Sequence, residues 1–121
     1  MKNRPASTVH RVGLISDTHG LLRPEAVTYL EGCDFIVHAG DIGGPEIIRQ
    51  LERIAPVTAV RGNNDRDAWA ARIPDDTLLD VGGGTGIYSI ACLQANPRLR
   101  AIVWDRPEVL KVAREMADSY G

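Results

Sequence analysis

The sequence predicts an α/β domain, a three-layer α/β/α sandwich around a five-stranded, parallel, doubly wound sheet. Three observations lead there. Short β-branched runs alternate with helical segments along the whole chain. The runs are largely apolar without strict alternation, as expected for parallel strands covered on both faces. The helices open on recognisable start signals, and no repeat, linker or low-complexity stretch interrupts the series. Strands separated by helices pair in parallel through right-handed crossovers. The preferred strand order is 3-2-1-4-5, with 2-1-3-4-5 as the alternative, and ligand loops gather at the carboxyl ends of the strands.

Each element has its own signal. "RVGLIS" (11–16), "FIVHA" (35–39), "VTAVR" (57–61), "TLLDV" (77–81) and "AIVW" (101–104) read as strands. "RPEAVTYLEG" reads as a helix with Pro24 in its first turn, where the missing N–H costs nothing. "GPEIIRQLERIA" repeats the device with Pro45 and Glu46, and places Ile47, Ile48, Leu51 and Ile54 on one face. "DRDAWAARI" reads as a short third helix. "GIYSIACLQAN" and "RPEVLKVAREMADSYG" supply two more, the last ending at Gly121.

At 121 residues the chain reads as a single domain, 1–121, with a phosphate-site-like part over 11–76 and a glycine-loop part over 78–121. The net charge of −2 gives no electrostatic case for nucleic acid or an anionic membrane as partner. No apolar run approaches the roughly 18 residues of a membrane span, and "MKNRPASTVH" has no apolar signal core. A cytoplasmic location is expected. Cys33 and Cys92 read as small core residues in a reduced protein.

The carboxyl ends of the first three strands carry the chemistry. They run into Asp17-Thr18-His19-Gly20, Gly40-Asp41 and Gly62-Asn63-Asn64-Asp65. Alternate residues of an extended segment point the same way, so Asp17 and His19 can reach one ion, with Asp41 and Asn63 converging from the neighbouring loops. Oxygen donors with one imidazole suit Mn²⁺, Fe²⁺, Zn²⁺ or Mg²⁺. The bland alternative makes Asp17 and Asp41 helix caps or solvent-facing loop residues. His38, at the end of a buried strand, reads as a hydrogen-bonded core histidine, and His10 as a surface one.

Residues 11–76 resemble the calcineurin-like metallophosphoesterases, particularly their small bacterial phosphodiesterases, through D-x-H, G-D and G-N-x-D in order. The resemblance implies that Asp17 and His19 hold a first metal, Asp41 bridges two, and Asn63 holds the second. Asn64 stands where many members carry a leaving-group histidine. The implied chemistry is in-line displacement at phosphorus between two ions that clamp the phosphate oxygens. That family draws further histidine ligands from the second half of its domain, whereas the histidines here lie at positions 10, 19 and 38. A half-site holding one ion weakly, its shell completed by water, is expected.

The second part has a different logic. A strand ends at Asp80-Val81, Gly82, Gly84 and Gly86 follow at alternate positions, and a helix begins at once. Glycines permit a tight turn and close backbone approach to a ligand. The next strand ends at Asp105, placed to accept from two ribose hydroxyls; alternatively Asp105-Arg106-Pro107 is simply a capped helix start. Residues 78–121 resemble Class I S-adenosylmethionine-dependent O-methyltransferases through "DVGGGTG" and "D-x-P-x-V". The resemblance implies Asp80, Gly82, Gly84, Gly86 and Asp105 as binding residues for S-adenosylmethionine or S-adenosylhomocysteine. It covers one β-α-β-α portion and supplies no acceptor pocket.

Two resemblances that meet at residues 77–83 suggest a chimera of two α/β fragments, engineered or, alternatively, a natural recombinant. The leading expectation is a chimeric domain without native catalytic activity. The alternatives are an S-adenosylmethionine-binding module and a weak metal-dependent phosphoesterase. Surfaces that either parent would cover are expected to favour a homodimer.

Overall fold

A computed structural model describes residues 10–121. The chain divides into two compact units, one running to Asp75 and the other spanning Asp76–Gly121. Among the described residues no helix is long and apolar enough to cross a membrane.

The first unit contains β1 (Val12–Ile15), α1 (Pro24–Leu30), β2 (Phe35–His38), α2 (Pro45–Glu52), β3 (Val57–Ala59) and a 3₁₀ turn (Ala68–Ala70). Its strands form a parallel sheet in the order β1-β2-β3, with Val12 opposite Phe35 and Ile36 opposite Val57. Pro24 and Pro45 open their helices as expected. On α2 the i,i+4 pair Ile47 and Leu51 is buried, and Ile48 and Ile54 pack against it. With Leu30, Ile36, Ile42 and Ala55 these residues make one contiguous core. Gly13 keeps β1 tight against the end of α1, because a Cβ there would collide with the Leu30 side chain.

The second unit contains β4 (Thr77–Val81), α3 (Ile87–Ala95), β5 (Arg100–Trp104) and α4 (Pro107–Tyr120). β4 and β5 pair in parallel from Thr77 opposite Arg100 to Val81 opposite Trp104.

Five expectations need correction. The ladders form a three-stranded sheet, whose order matches the 3-2-1 part of the preferred order, and a two-stranded sheet of β4 and β5, in place of one five-stranded sheet in the order 3-2-1-4-5. Every ladder joins consecutive strands; a β1–β4 ladder would close a far longer loop, and no residue pattern specifies it. The alternative order 2-1-3-4-5 is overturned as well, since β2 lies between β1 and β3.

β1 is not covered on both faces either, since Leu14 is 75% exposed, whereas β2 is buried or half-buried along its whole length. The third helix shrinks to the turn Ala68–Ala70, held by successive i→i−3 bonds from Ala70, Ala71 and Ile73 to Asp67, Ala68 and Ala70. Asp67 offers no side-chain cap, and so short a segment cannot repay helix nucleation. Finally, Cys92 is exposed, while Cys33 is half-buried against the core; both are free thiols.

Candidate metal centre

β1 and β2 keep running alongside each other after their ladder ends. Ala39 N–H donates to the Ile15 carbonyl at 2.8 Å, Asp17 N–H to Gly40 at 2.9 Å, His19 N–H to Asp41 at 3.0 Å and Gly20 N–H to Ile42 at 2.9 Å. These rungs set Asp17, His19 and Asp41 side by side. One ligand atom from each lies within 4.8 Å of the other two. His19 Nε2 stands 3.6 Å from Asp17 Oδ1, and the Ser16 hydroxyl donates to the other Asp17 oxygen at 2.6 Å.

The backbone at these residues is unusual. Asp17, His19 and Asp41 have φ of 57°, 47° and 53°, and they are the non-glycine residues with positive φ among those described. An L-residue in the left-handed region costs roughly 1–2 kcal/mol. The flanking rungs over-determine the conformation, which is how strain persists at working sites. Neither aspartate caps a helix: the residues at the starts of α1 and α2 are Arg23 and Gly44, without side-chain caps.

A third loop locks the second. Asn64 N–H donates to Asp41 Oδ1 at 3.2 Å. The Asp65 carboxylate, only 3% exposed, accepts from Ile42, Gly43 and Gly62 N–H groups, each at 3.0 Å. Burial alone would raise the Asp65 pKa; those N–H groups, with His38 nearby, outweigh it and hold the carboxyl below its ordinary value. Gly62 is required where it stands, because a Cβ would strike the Asp41 carboxylate and backbone. Asn63 is exposed in this same loop, its carbonyl accepting from Arg66 Nε at 2.7 Å.

Beneath the cluster lies His38, fully buried as the core reading expects. Its Nδ1 accepts from Gly40 N–H at 3.2 Å, so the proton resides on Nε2, which donates to the Thr18 hydroxyl at 2.9 Å. Thr18 in turn donates to the Ile42 carbonyl at 2.8 Å. Burial lowers the His38 pKa against the opposing pull of Asp65, Asp17 and Asp41, in keeping with a neutral ring. Thr18 is thereby pinned between the two candidate ligands that flank it.

In the second unit, Gly82, Gly84 and Gly86 all take positive φ, at 66°, 59° and 77°. The loop is bonded to itself. Asp105 accepts from Arg106 N–H at 2.7 Å and Gly84 N–H at 3.0 Å, and these two bonds lower its pKa. Asp80 accepts from the buried Ser89 hydroxyl at 2.8 Å. The sequence-predicted residues are brought together, but Asp105 already serves the loop and its own helix start.

The family model for the calcineurin-like phosphoesterase superfamily domain matches residues 11–108. The chain belongs to that superfamily. A phosphoesterase match over this range runs straight through residues 77–83, so it lends no support to a chimera without activity. The chain is 47% identical over 75 residues to a probable metallophosphoesterase of Methanothermobacter thermautotrophicus, covering 58% of this chain and 43% of that protein. It is 42% identical over 75 residues to another from Methanocaldococcus jannaschii, covering 58% and 37%. The chain thus spans less than half the length of these phosphoesterases. A stretch of 47 residues is 49% identical to the O-methyltransferase cicE of Emericella nidulans, covering 39% of this chain and 9% of that enzyme. A likeness of that extent shows no methyltransferase family and gives S-adenosylmethionine no support. No solved structure matches the chain.

In this member of the superfamily the donors fit a divalent ion on their own chemistry: two carboxylates and an imidazole, oxygen and nitrogen only, open to solvent and convergent. Sequence reasoning missed Asp65 as the fastener of two ligand loops and Thr18 as a spacer. The available signal for Asp65 was the last letter of G-N-x-D, an acid placed to reach back to the N–H three residues earlier.

Proposed function

We propose that the first unit is the metal centre of a phosphodiesterase, with Asp17, His19 and Asp41 as ligands and Asn63 as a further donor from the third loop. The observation that carries this reading is the coincidence of the convergent Asp17–His19–Asp41 cluster with the chain's strained non-glycine backbone. Family membership and the two archaeal relatives support the same class of reaction. A bound divalent ion would supply charge for the phosphoryl oxygens and acidity for water. The chain's own part is to hold three donors in place through the β1–β2 loop rungs, Asn64 N–H and the Asp65 fastener.

The test is Mn²⁺-dependent hydrolysis of bis(p-nitrophenyl) phosphate by metal-stripped, reloaded protein. Activity should vanish in Asp41→Ala. Activity that survives in that variant would assign the hydrolysis to something else.

A further inference from the structure

The metal cluster forms one end of a larger feature. An open cleft of about 420 Å³ is lined by Asp17 and His19 at the cluster, by Arg23, and by Leu21, Leu22 and Ala26. Leu21 is 58% exposed, a large apolar side chain held at the surface. Its position is fixed rather than incidental: Leu21 N–H donates to the Thr18 carbonyl at 2.9 Å, and Thr18 is itself bonded to His38 and to the Ile42 carbonyl. Arg23 precedes Pro24, and its carbonyl accepts from Ala26 and Val27 as α1 begins. Arg23 is exposed. The turn therefore sets one cation and an apolar wall beside one carboxylate and one imidazole, Asp17 and His19.

A phosphate ester seated at Asp17 and His19 has to send its organic group somewhere. Solvent would ask nothing of the wall. This wall, however, carries three apolar side chains, Leu21, Leu22 and Ala26, and one cation, Arg23, in the same cleft as Asp17 and His19. The volume lies within the range of small-ligand pockets.

Resting on the phosphodiesterase reading, we infer that the cleft over Leu21, Leu22 and Ala26 is the ester-group subsite, that Arg23 faces the phosphoryl charge, and that the substrates are phosphodiesters bearing an apolar group.

Two measurements separate this inference from the reading beneath it. The first is binding of diphenyl phosphate to the full chain with Mg²⁺, followed by backbone amide NMR shifts. The second is steady-state hydrolysis of bis(p-nitrophenyl) phosphate with Mn²⁺. Shifts should appear at residues 21–26. Leu21→Ser should weaken diphenyl phosphate binding and raise KM about 5- to 10-fold with kcat little changed, the size expected for losing part of one apolar contact. Arg23→Gln should raise KM by a similar factor, whereas Arg23→Lys should recover part of the loss. Leu21→Phe should bind diphenyl phosphate more tightly, a gain that misfolding cannot produce.

If shifts stay confined to residues 17–20 and 40–42 and both Leu21 variants behave as wild type, the subsite is overturned while the metal centre stands. If no metal supports hydrolysis yet the shifts at 21–26 respond to the Leu21 and Arg23 variants, the cleft stands and the phosphodiesterase reading falls. Absence of any shift with diphenyl phosphate overturns the subsite.

Discussion

The two units are built from the same kind of part, parallel strands joined by helices, and they differ in what those parts enclose. The first unit surrounds Leu30, Ile36, Ile42, Ile47 and Leu51, each at most 2% exposed. In the second, Ala113 is the buried apolar residue, while Val81, Ile87, Tyr88, Val112 and Tyr120 are exposed. Their polar fasteners differ in the same way. Asp65 gathers three N–H groups in a buried position, whereas Asp105 gathers two at the surface. Periodicity can therefore produce equally regular elements in both units, and only one of them turns regularity into a core and a strained loop cluster.

The largest expected effect tests the core. Leu51→Ala removes a side chain with no exposure and should cost about 3 kcal/mol by urea unfolding. Leu93→Ala, a half-buried side chain on the mostly exposed α3, should cost less than about 1 kcal/mol. Equal losses would erase the contrast.

Next come the aspartates. Asp65→Ala orphans three N–H groups, two of them on the loop that follows Asp41, and should cost roughly 2–3 kcal/mol. Asp105→Ala releases its N–H partners to water and should leave the unfolding midpoint unmoved. The pH profile sharpens the point. His38 and Asp65 both have lowered folded pKa values, so in each case the unfolded chain binds the proton first. Stability should thus fall in two steps as pH drops, first below about 6.5 and again below about 3.9. His38→Gln should remove the upper step and Asp65→Asn the lower. A flat profile in the native chain would contradict both assignments.

The smallest effect is the most specific. His19→Gly relieves a left-handed imidazole residue and should stabilise the metal-free chain by about 0.5 kcal/mol, while weakening Mn²⁺ binding in calorimetric titration. A loss of stability would mean that His19 supports the loop instead of straining it.

Much of the local structure was legible. Prolines 24, 45 and 107 announced helix starts, "TLLDV" matched β4 to the residue, and the spacing of Ile47 and Leu51 gave the buried face of α2. The division into two sheets was not legible, because an apolar strand does not encode which distant strand it meets. "DRDAWAARI" misled because its first residue, Asp65, closes the preceding loop and is bonded to the N–H groups of other loop residues. At the site, D-x-H and G-D announced donors that the loops do bring together. What no pattern announced was their backbone: φ is a property of the rungs between loops, and those rungs join residues more than twenty positions apart.

Those three left-handed residues carry a consequence for how the chain would age under mutation. Glycine fits each of these positions better than the residue now occupying it, and asparagine tolerates them more readily than most. On the proposed metal centre, lifting the demand for an ion would let positions 17, 19 and 41 drift among the first, since stability and neutral change would then point the same way. On that reading it is the ligand chemistry of aspartate, histidine and aspartate, and not the fold, that keeps those residues in left-handed backbone.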